Sequence, residues 1–165
     1  MIWLRTAIFS LGFVATMFVM LPVWILAATG QPPQVTGALR LVAATLLGVG
    51  FALMVWCWGS FTVHGRGTPA PFDPPRQLVI RGPYRYVRNP MYSAGVLVLL
   101  GEALLYASLP LLIYAAVFWL GAHVLVLGYE ERALAHSFDA SYDAYRATVS
   151  RWIPHRAPRS GSPLR

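Results

Sequence analysis

Two polar segments of the sequence carry residue types that could bind a nucleotide-like cofactor. The first is the run GPYRYVRNPMY at residues 82–92, and the second begins at Glu130 and Glu131. Asn89 and Pro90 form a typical helix start, whose unpaired N–H groups and positive dipole end suit a carboxylate. The tyrosines of the run could face a sulfonium cation or stack on adenine, and Glu130 could accept hydrogen bonds from a ribose.

The same segments also fit a purely structural interpretation. In it, Asn89-Pro90 only begins a helix, the arginines contact lipid phosphates, and Glu130 and Glu131 lie on a solvated helix face. Residue types alone leave both interpretations open.

Two ionisable residues lie within apolar runs, where a charged side chain is costly. Glu102 lies twelve residues beyond Pro90, about 18 Å along a helix, and His123 lies seven residues before Glu130, about 10 Å along one. They could line a substrate cavity in which His123 accepts a proton from an amine or thiol nucleophile. Alternatively, each makes its own structural hydrogen bond between helices. The histidine spacing and the single cysteine, Cys57, indicate no metal site.

The composition predicts that lipid surrounds the elements that position these residues. Hydrophobic residues make up 57% of the 165-residue chain and charged residues 12%, against about 25% charged in a typical soluble domain. The predicted fold is an all-α integral membrane bundle of about four transmembrane helices in one domain, residues 1–154, with a C-terminal amphipathic helix on the cytoplasmic side. The predicted spans are residues 7–28, 41–58, 90–108 and 111–129; the amphipathic helix is residues 130–150, and residues 155–165 are a disordered tail.

The basic residues predict the orientation of the chain. All thirteen are arginines, and four spans place twelve of them on one side of the membrane, with only Arg40 opposite. Under the positive-inside rule that side is cytoplasmic, which predicts a multi-pass protein of a bacterial cytoplasmic membrane with both termini in the cytoplasm. The arginines flank apolar runs and form no basic helix, so nucleic acid is not an expected partner.

A tight turn at Leu109-Pro110 brings the two polar segments together in this topology. It makes the third and fourth helices antiparallel, so the start of one lies beside the end of the other. Residues 82–92 and the Glu130-Glu131 pair are therefore expected to meet at the cytoplasmic end of the bundle.

The run GPYRYVRNPMY, followed some forty residues later by EERALAHSFDASYDAYRATVSRWIP, resembles the signature of the isoprenylcysteine carboxyl methyltransferase and phospholipid methyltransferase superfamily. The resemblance covers residues 76–154, about half of the chain. It implies a multi-spanning membrane enzyme that binds S-adenosylmethionine between this loop and the C-terminal helix. It also implies cofactor contacts at Gln77, Leu78, Val79, Tyr84, Asn89, Pro90, Met91, Tyr92 and Glu130.

The sequence departs from this pattern at positions that bear on the substrate. Asn89 replaces the histidine usual in the prenylcysteine enzymes, and Asp139 replaces a glycine usual after the motif phenylalanine. None of residues 126–129 is basic, whereas the eukaryotic prenylcysteine enzymes have an arginine just before the first motif glutamate. The methyl acceptor therefore stays open among a phospholipid amine, an isoprenoid or other lipid, and a small thiol.

The predicted function is S-adenosylmethionine-dependent methyl transfer to a lipophilic acceptor at the cytoplasmic membrane face. The alternative is a non-catalytic membrane scaffold or subunit that retains the fold. A small transporter would be expected to carry more paired charges within its spans than Glu102 alone.

Overall fold

A computed structural model describes residues 11–30, 35–61, 63 and 78–154 of the chain. Of these described residues, 84% are helical and none lies in a β-strand, which confirms the all-α class. Gln77, the first residues of the predicted helix 7–28 and the predicted tail 155–165 lie outside the described residues.

Five helices form the described part of the chain. A π-helical turn at Thr16–Met20 interrupts the first helix, and another at Val126–Glu130 joins the fourth helix to the fifth without a break. In chain order the helices are α1 (Leu11–Thr29), α2 (Gly37–Ser60), α3 (Pro90–Leu105), α4 (Leu109–Leu125) and α5 (Glu131–Thr148).

Three helical runs are long and apolar enough to cross a membrane: Leu11–Thr29, Gly37–Ser60 and Leu109–Thr148. The last run extends about 60 Å at 1.5 Å per residue, twice the hydrocarbon thickness, so its apolar part is α4 and the charged α5 continues beyond. Helix α3 is apolar but has 16 residues, about 24 Å. The chain is a helical membrane protein, and a fourth crossing by α3 stays a prediction.

The structure corrects the predicted start of α2, end of α3 and start of α4. Helix α2 begins at Gly37 rather than residue 41, because Arg40 is part of its first turn, where the side chain lies exposed. Helix α3 ends at Leu105 rather than residue 108, since Ala107 adopts a φ of 45° and Ser108 accepts a hydrogen bond from the Leu111 N–H (3.4 Å). Ser108 therefore caps α4, which begins two residues earlier than predicted.

Small residues allow α2 and α3 to approach closely. A Cβ atom on Gly101 of α3 would lie 3.0 Å from the Leu47 backbone nitrogen and 3.1 Å from the Ala43 carbonyl oxygen. Helix α1 packs against α3 and α4, and its Phe18 contacts Phe118 of α4 edge to face at 5.3 Å. Only three residues separate α3 from α4, so the two helices are antiparallel and the start of α3 lies beside the end of α4.

Helix α5 is kinked at Asp139, which has φ 41° and ψ −124° inside the helix. A positive φ favours glycine, the residue that the family resemblance led us to expect at this position. An aspartate held there stores strain of roughly 1–3 kcal/mol.

We therefore expect Asp139→Gly to stabilise the protein by about 1 kcal/mol, because glycine adopts this conformation without a Cβ clash. Thermal unfolding of the detergent-purified protein measures the change. The matched control is Asp143→Gly in the same helix, where the backbone is helical and glycine should cost about 1 kcal/mol. Equal destabilisation by both substitutions would contradict the prediction.

Candidate functional site

The two polar segments meet at the end of the bundle where α3 begins and α4 ends. The Tyr92 hydroxyl, in the first turn of α3, donates a hydrogen bond to Oε1 of Glu130, at the end of the π-helical turn. Both side chains are partly buried. Two predicted cofactor residues that are 38 positions apart in sequence are thus in direct contact.

The two successive glutamates reach different partners from the π-helical turn. Glu130 contacts Tyr92 of α3, whereas Glu131 pairs with Arg88 and Arg151. Neighbouring residues of a regular α-helix point about 100° apart, so only one of them would ordinarily face a single partner element. With this π-helical turn between α4 and α5, both carboxylates contact partners at the same end of the bundle.

Glu131 is the centre of a charged network. Its Oε1 lies 3.1 Å from Arg88 Nη1, and Arg151 donates to both oxygens at 2.7 and 2.9 Å. The Glu131 side chain is 11% exposed and that of Arg88 9%. Burial by itself would raise the pKa of Glu131, but the Arg151 hydrogen bond and the nearby arginine charges lower it below its ordinary value. Glu131 is therefore ionised and anchors two guanidinium groups.

Arg88 and the start of α3 present donors without a partner among the described residues. Arg88 Nε is buried and donates to no acceptor among the described residues, and the Asn89 side chain makes no capping hydrogen bond to α3. Instead, Asn89 Nδ2 donates to the Arg151 carbonyl at 3.4 Å. Because the Asn89 side-chain oxygen accepts nothing from them, the N–H groups of Met91 and Tyr92 in the first turn lack a side-chain cap. This donor set suits an anionic group such as a carboxylate.

The loop before α3 is anchored by buried tyrosines. Gly82 adopts a φ of 61°, which favours glycine, and begins a short 3₁₀ helix, Gly82–Arg85. The Tyr84 ring packs edge to face on Phe61 at 5.2 Å, and the Tyr145 hydroxyl donates to the Tyr84 carbonyl at 2.6 Å. Burial raises the pKa of the Tyr84 phenol well above its ordinary value, so it stays neutral.

Several residues that the resemblance assigned to the cofactor lie in the packing around this loop. Val79 and Tyr84 form a buried cluster with Cys57, and Met91 packs against it. Pro90 is almost fully buried, whereas Leu78 is partly exposed. These residues pack around the loop, whereas Tyr92, Asn89 and Glu130 carry polar groups at this end of the bundle.

His123 lies in an aromatic cluster at the end of α4. The Trp152 indole Nε1 donates to His123 Nδ1 at 3.1 Å, and the His123 ring stacks on Trp119 at 5.3 Å. Trp152 also contacts the Tyr92 ring edge to face at 6.5 Å. Because indole only donates, Nδ1 is an acceptor and the proton of a neutral His123 is on Nε2. His123 is therefore next to the site, but Nδ1 is already engaged.

Glu102 is not brought to His123. It lies one turn from the end of α3, near Tyr114 of α4, and its buried Oε2 has no partner among the described residues. His123 lies fourteen residues into α4, so the two differ by about 16 Å along the antiparallel axes. The structure favours separate roles for the two residues and does not support a shared cavity.

The sequence interpretation missed the segment after α5. It extended the amphipathic helix to residue 150, but α5 ends at Thr148 and Val149 is extended. Ser150 then forms an isolated parallel bridge with Val87, and the Arg88 N–H donates to its carbonyl at 2.8 Å. Pro154 and the β-branched pair Thr148-Val149 were signals of an earlier helix end.

The fold defines a helical membrane protein whose polar and charged residues converge at one end of its bundle. The sequence model of the phospholipid methyltransferase family matches residues 39–141, more than half of the chain. The chain therefore belongs to the phospholipid methyltransferase family, which confirms the resemblance found from its motifs. No curated protein matches it.

Proposed function

We propose that the chain transfers a methyl group from S-adenosylmethionine to a lipophilic acceptor at the cytoplasmic face of the membrane. Its family is a methyltransferase family, and members generally use this cofactor. The contact between Tyr92 and Glu130 supports the proposal most directly, because it joins the two segments that the cofactor would need.

The residues present fit the chemical groups of this cofactor. Its amino-acid carboxylate would be held by the uncapped N–H groups at the start of α3, with the buried Arg88 Nε beside them. Glu130 would bind the ribose hydroxyls, and the Tyr92 and Trp152 rings would lie against the cationic or aromatic parts. When bound, the cofactor supplies a methyl group attached to a sulfonium sulfur. The acceptor's lone pair bonds to the methyl carbon as the carbon–sulfur bond breaks, and the sulfur leaves as a neutral thioether.

The protein contributes orientation and exclusion of water more than acid–base chemistry. Such a displacement needs the acceptor atom in line with the breaking bond and needs its proton, if it has one, removed. His123 is poorly arranged to take that proton, because Trp152 already donates to Nδ1 and Nε2 carries the ring proton. We therefore assign His123 to positioning Trp152, and Glu102 to a structural role within the bundle.

The arginine distribution supports the cytoplasmic orientation. Arg81, Arg85, Arg88, Arg132 and Arg146 all lie on elements at the site end of the bundle, whereas Arg40 lies in the first turn of α2. With the arginine-rich end inside, soluble cofactor reaches the site from the cytoplasm and a lipid acceptor reaches it from the bilayer.

The proposed function is tested with the purified wild-type protein and with membranes that contain it. S-Adenosylhomocysteine should increase the free energy of unfolding by about 2.7 kcal/mol at a hundred times the dissociation constant, and the unfolding temperature should rise with ligand concentration. Membranes incubated with methyl-labelled S-adenosylmethionine should yield a labelled lipid-soluble product. A non-catalytic scaffold predicts no labelled product, and a scaffold without the cofactor site predicts no thermal shift either.

A further inference from the structure

Three consecutive residues after α5 contact the elements that form the proposed cofactor site, and we name residues 150–152 the strap. The Ser150 carbonyl accepts from the Arg88 N–H, and the Arg151 carbonyl accepts from Asn89 Nδ2. The side chain of Arg151 binds Glu131 and that of Trp152 binds His123. The strap thus contacts the loop before α3, the end of α4 and the start of α5.

We infer that the strap is a positioning element of the site, and that Arg151 and Trp152 set the affinity for the adenosyl cofactor without contributing to the chemical step. This inference rests on the proposed function. The strap begins nine residues beyond residue 141, where the family match ends.

The bidentate contact of Arg151 with Glu131 is the first step of the argument. Two parallel N–H···O bonds fix the orientation of the carboxylate as well as its position. Glu131 in turn holds Arg88, whose Nη1 also donates to the Tyr142 hydroxyl at 3.3 Å. Loss of Arg151 leaves Glu131 with one guanidinium partner, and Arg88 is then held less firmly beside Asn89.

The backbone of the strap acts on the same residues. Asn89 Nδ2 donates to the Arg151 carbonyl of the strap, and this bond orients the side-chain amide so that its oxygen accepts nothing from the first turn of α3. A side-chain cap would satisfy the very N–H groups that an anionic ligand needs. The strap therefore keeps those donors available to the cofactor carboxylate.

Trp152 gives the strap a second anchor that acts on Tyr92. Its indole donates to His123 and its ring contacts Tyr92 edge to face. Tyr92 must also keep its hydroxyl on Glu130, so the ring contact restricts the orientation in which that hydrogen bond forms. Replacing Trp152 with phenylalanine keeps an aromatic ring but removes the indole donor.

The test compares the full-length variants Arg151→Gln, Arg151→Lys and Trp152→Phe with wild type, using S-adenosylhomocysteine as the probe. Calorimetry well below each unfolding temperature should show affinity weakened about tenfold or more in Arg151→Gln. Arg151→Lys should recover part of the loss, because it keeps the charge but not the bidentate geometry. The matched control is Arg146→Gln, an exposed arginine five residues upstream, which should bind within twofold of wild type.

A strap with only a structural role predicts a different result. Arg151→Gln would then unfold at a lower temperature without ligand yet bind the probe as tightly as wild type, which would overturn the inference. If Arg151→Gln does not fold, the inference is tested by the affinity of Trp152→Phe for the probe and by hydrogen exchange of the wild type. The probe should slow exchange of the Arg88 amide, which donates to Ser150, and unchanged exchange together with unchanged Trp152→Phe affinity would reject the inference. Absence of any wild-type binding would instead reject the proposed function, and the inference with it.

Discussion

Replacing Glu130 with glutamine is expected to abolish stabilisation by S-adenosylhomocysteine while leaving the unliganded protein folded. Glutamine has the same shape and can still accept from the Tyr92 hydroxyl, but it lacks the charge that a ribose diol would meet. A stabilisation of about 2.7 kcal/mol at a hundred times the wild-type dissociation constant should fall nearly to zero if affinity drops a hundredfold. Thermal unfolding with and without the ligand measures it.

Tyr92→Phe is the partner of this substitution, since it removes only the hydroxyl that contacts Glu130. We expect it to weaken ligand binding too, because the carboxylate is then free to turn away from the site. A matched control is Tyr114→Phe, whose hydroxyl donates to the Met17 carbonyl far along the bundle at 3.0 Å. Ligand stabilisation of Glu130→Gln equal to that of wild type would contradict the assignment of Glu130.

Replacing Glu131 with alanine is expected to destabilise the fold itself by about 3–5 kcal/mol, the cost of breaking a buried ion pair. The substitution leaves the Arg88 guanidinium, 9% exposed, with no carboxylate partner, and it also frees Arg151. The Arg151 side chain is 30% exposed and water compensates part of its loss, so Arg88 accounts for most of the effect. Denaturant or thermal unfolding in detergent measures the difference.

The control for Glu131 is Asp143→Asn on the same helix. Asp143 pairs with Arg146 at 3.2 Å, but their side chains are 63% and 52% exposed, so its loss should change stability by no more than about 0.5 kcal/mol. Similar effects of the two substitutions would show that the Glu131 network does not stabilise the fold.

The Glu131 network also predicts how stability depends on pH. The pKa of this carboxyl is lower in the folded protein than its ordinary value of 4.5, so the unfolded chain binds the proton more readily. Its contribution to stability is complete above that ordinary value and is lost as pH falls through the lower folded value. Wild-type stability should therefore fall in acid more steeply than that of Glu131→Gln.

The sequence was sufficient for the class of the protein and for the two segments of the site. Long apolar runs form membrane helices wherever they occur, because lipid offers no partner to an unpaired backbone group. The tight turn before α4 then requires α3 and α4 to be antiparallel. The contact of Tyr92 with Glu130 agrees with the expectation from this topology that the two segments meet.

The tertiary structure decided which partner each polar group takes. The predicted amphipathic helix reaches residue 150, but α5 ends at Thr148, and Ser150 pairs with Val87 in an isolated bridge. Asn89 donates from Nδ2 to a carbonyl 62 residues away in sequence, and its side chain does not make the helix cap that its position predicts. Such bonds depend on the rotation and end points of packed helices, and a local pattern contains neither.

For the two ionisable residues within apolar helices, the sequence likewise determined their positions and the tertiary structure determined their partners. Counting along the sequence located Glu102 and His123 within apolar helices, because helical rise is the same in any context. Their neighbours depend instead on what the packed bundle brings beside them: Tyr114 lies near Glu102, and Trp152 from beyond α5 binds His123. Local sequence patterns were thus enough to identify the helices and the family, because both depend on residues close together in the chain. The geometry of the site depends on long-range packing, which only the tertiary structure shows.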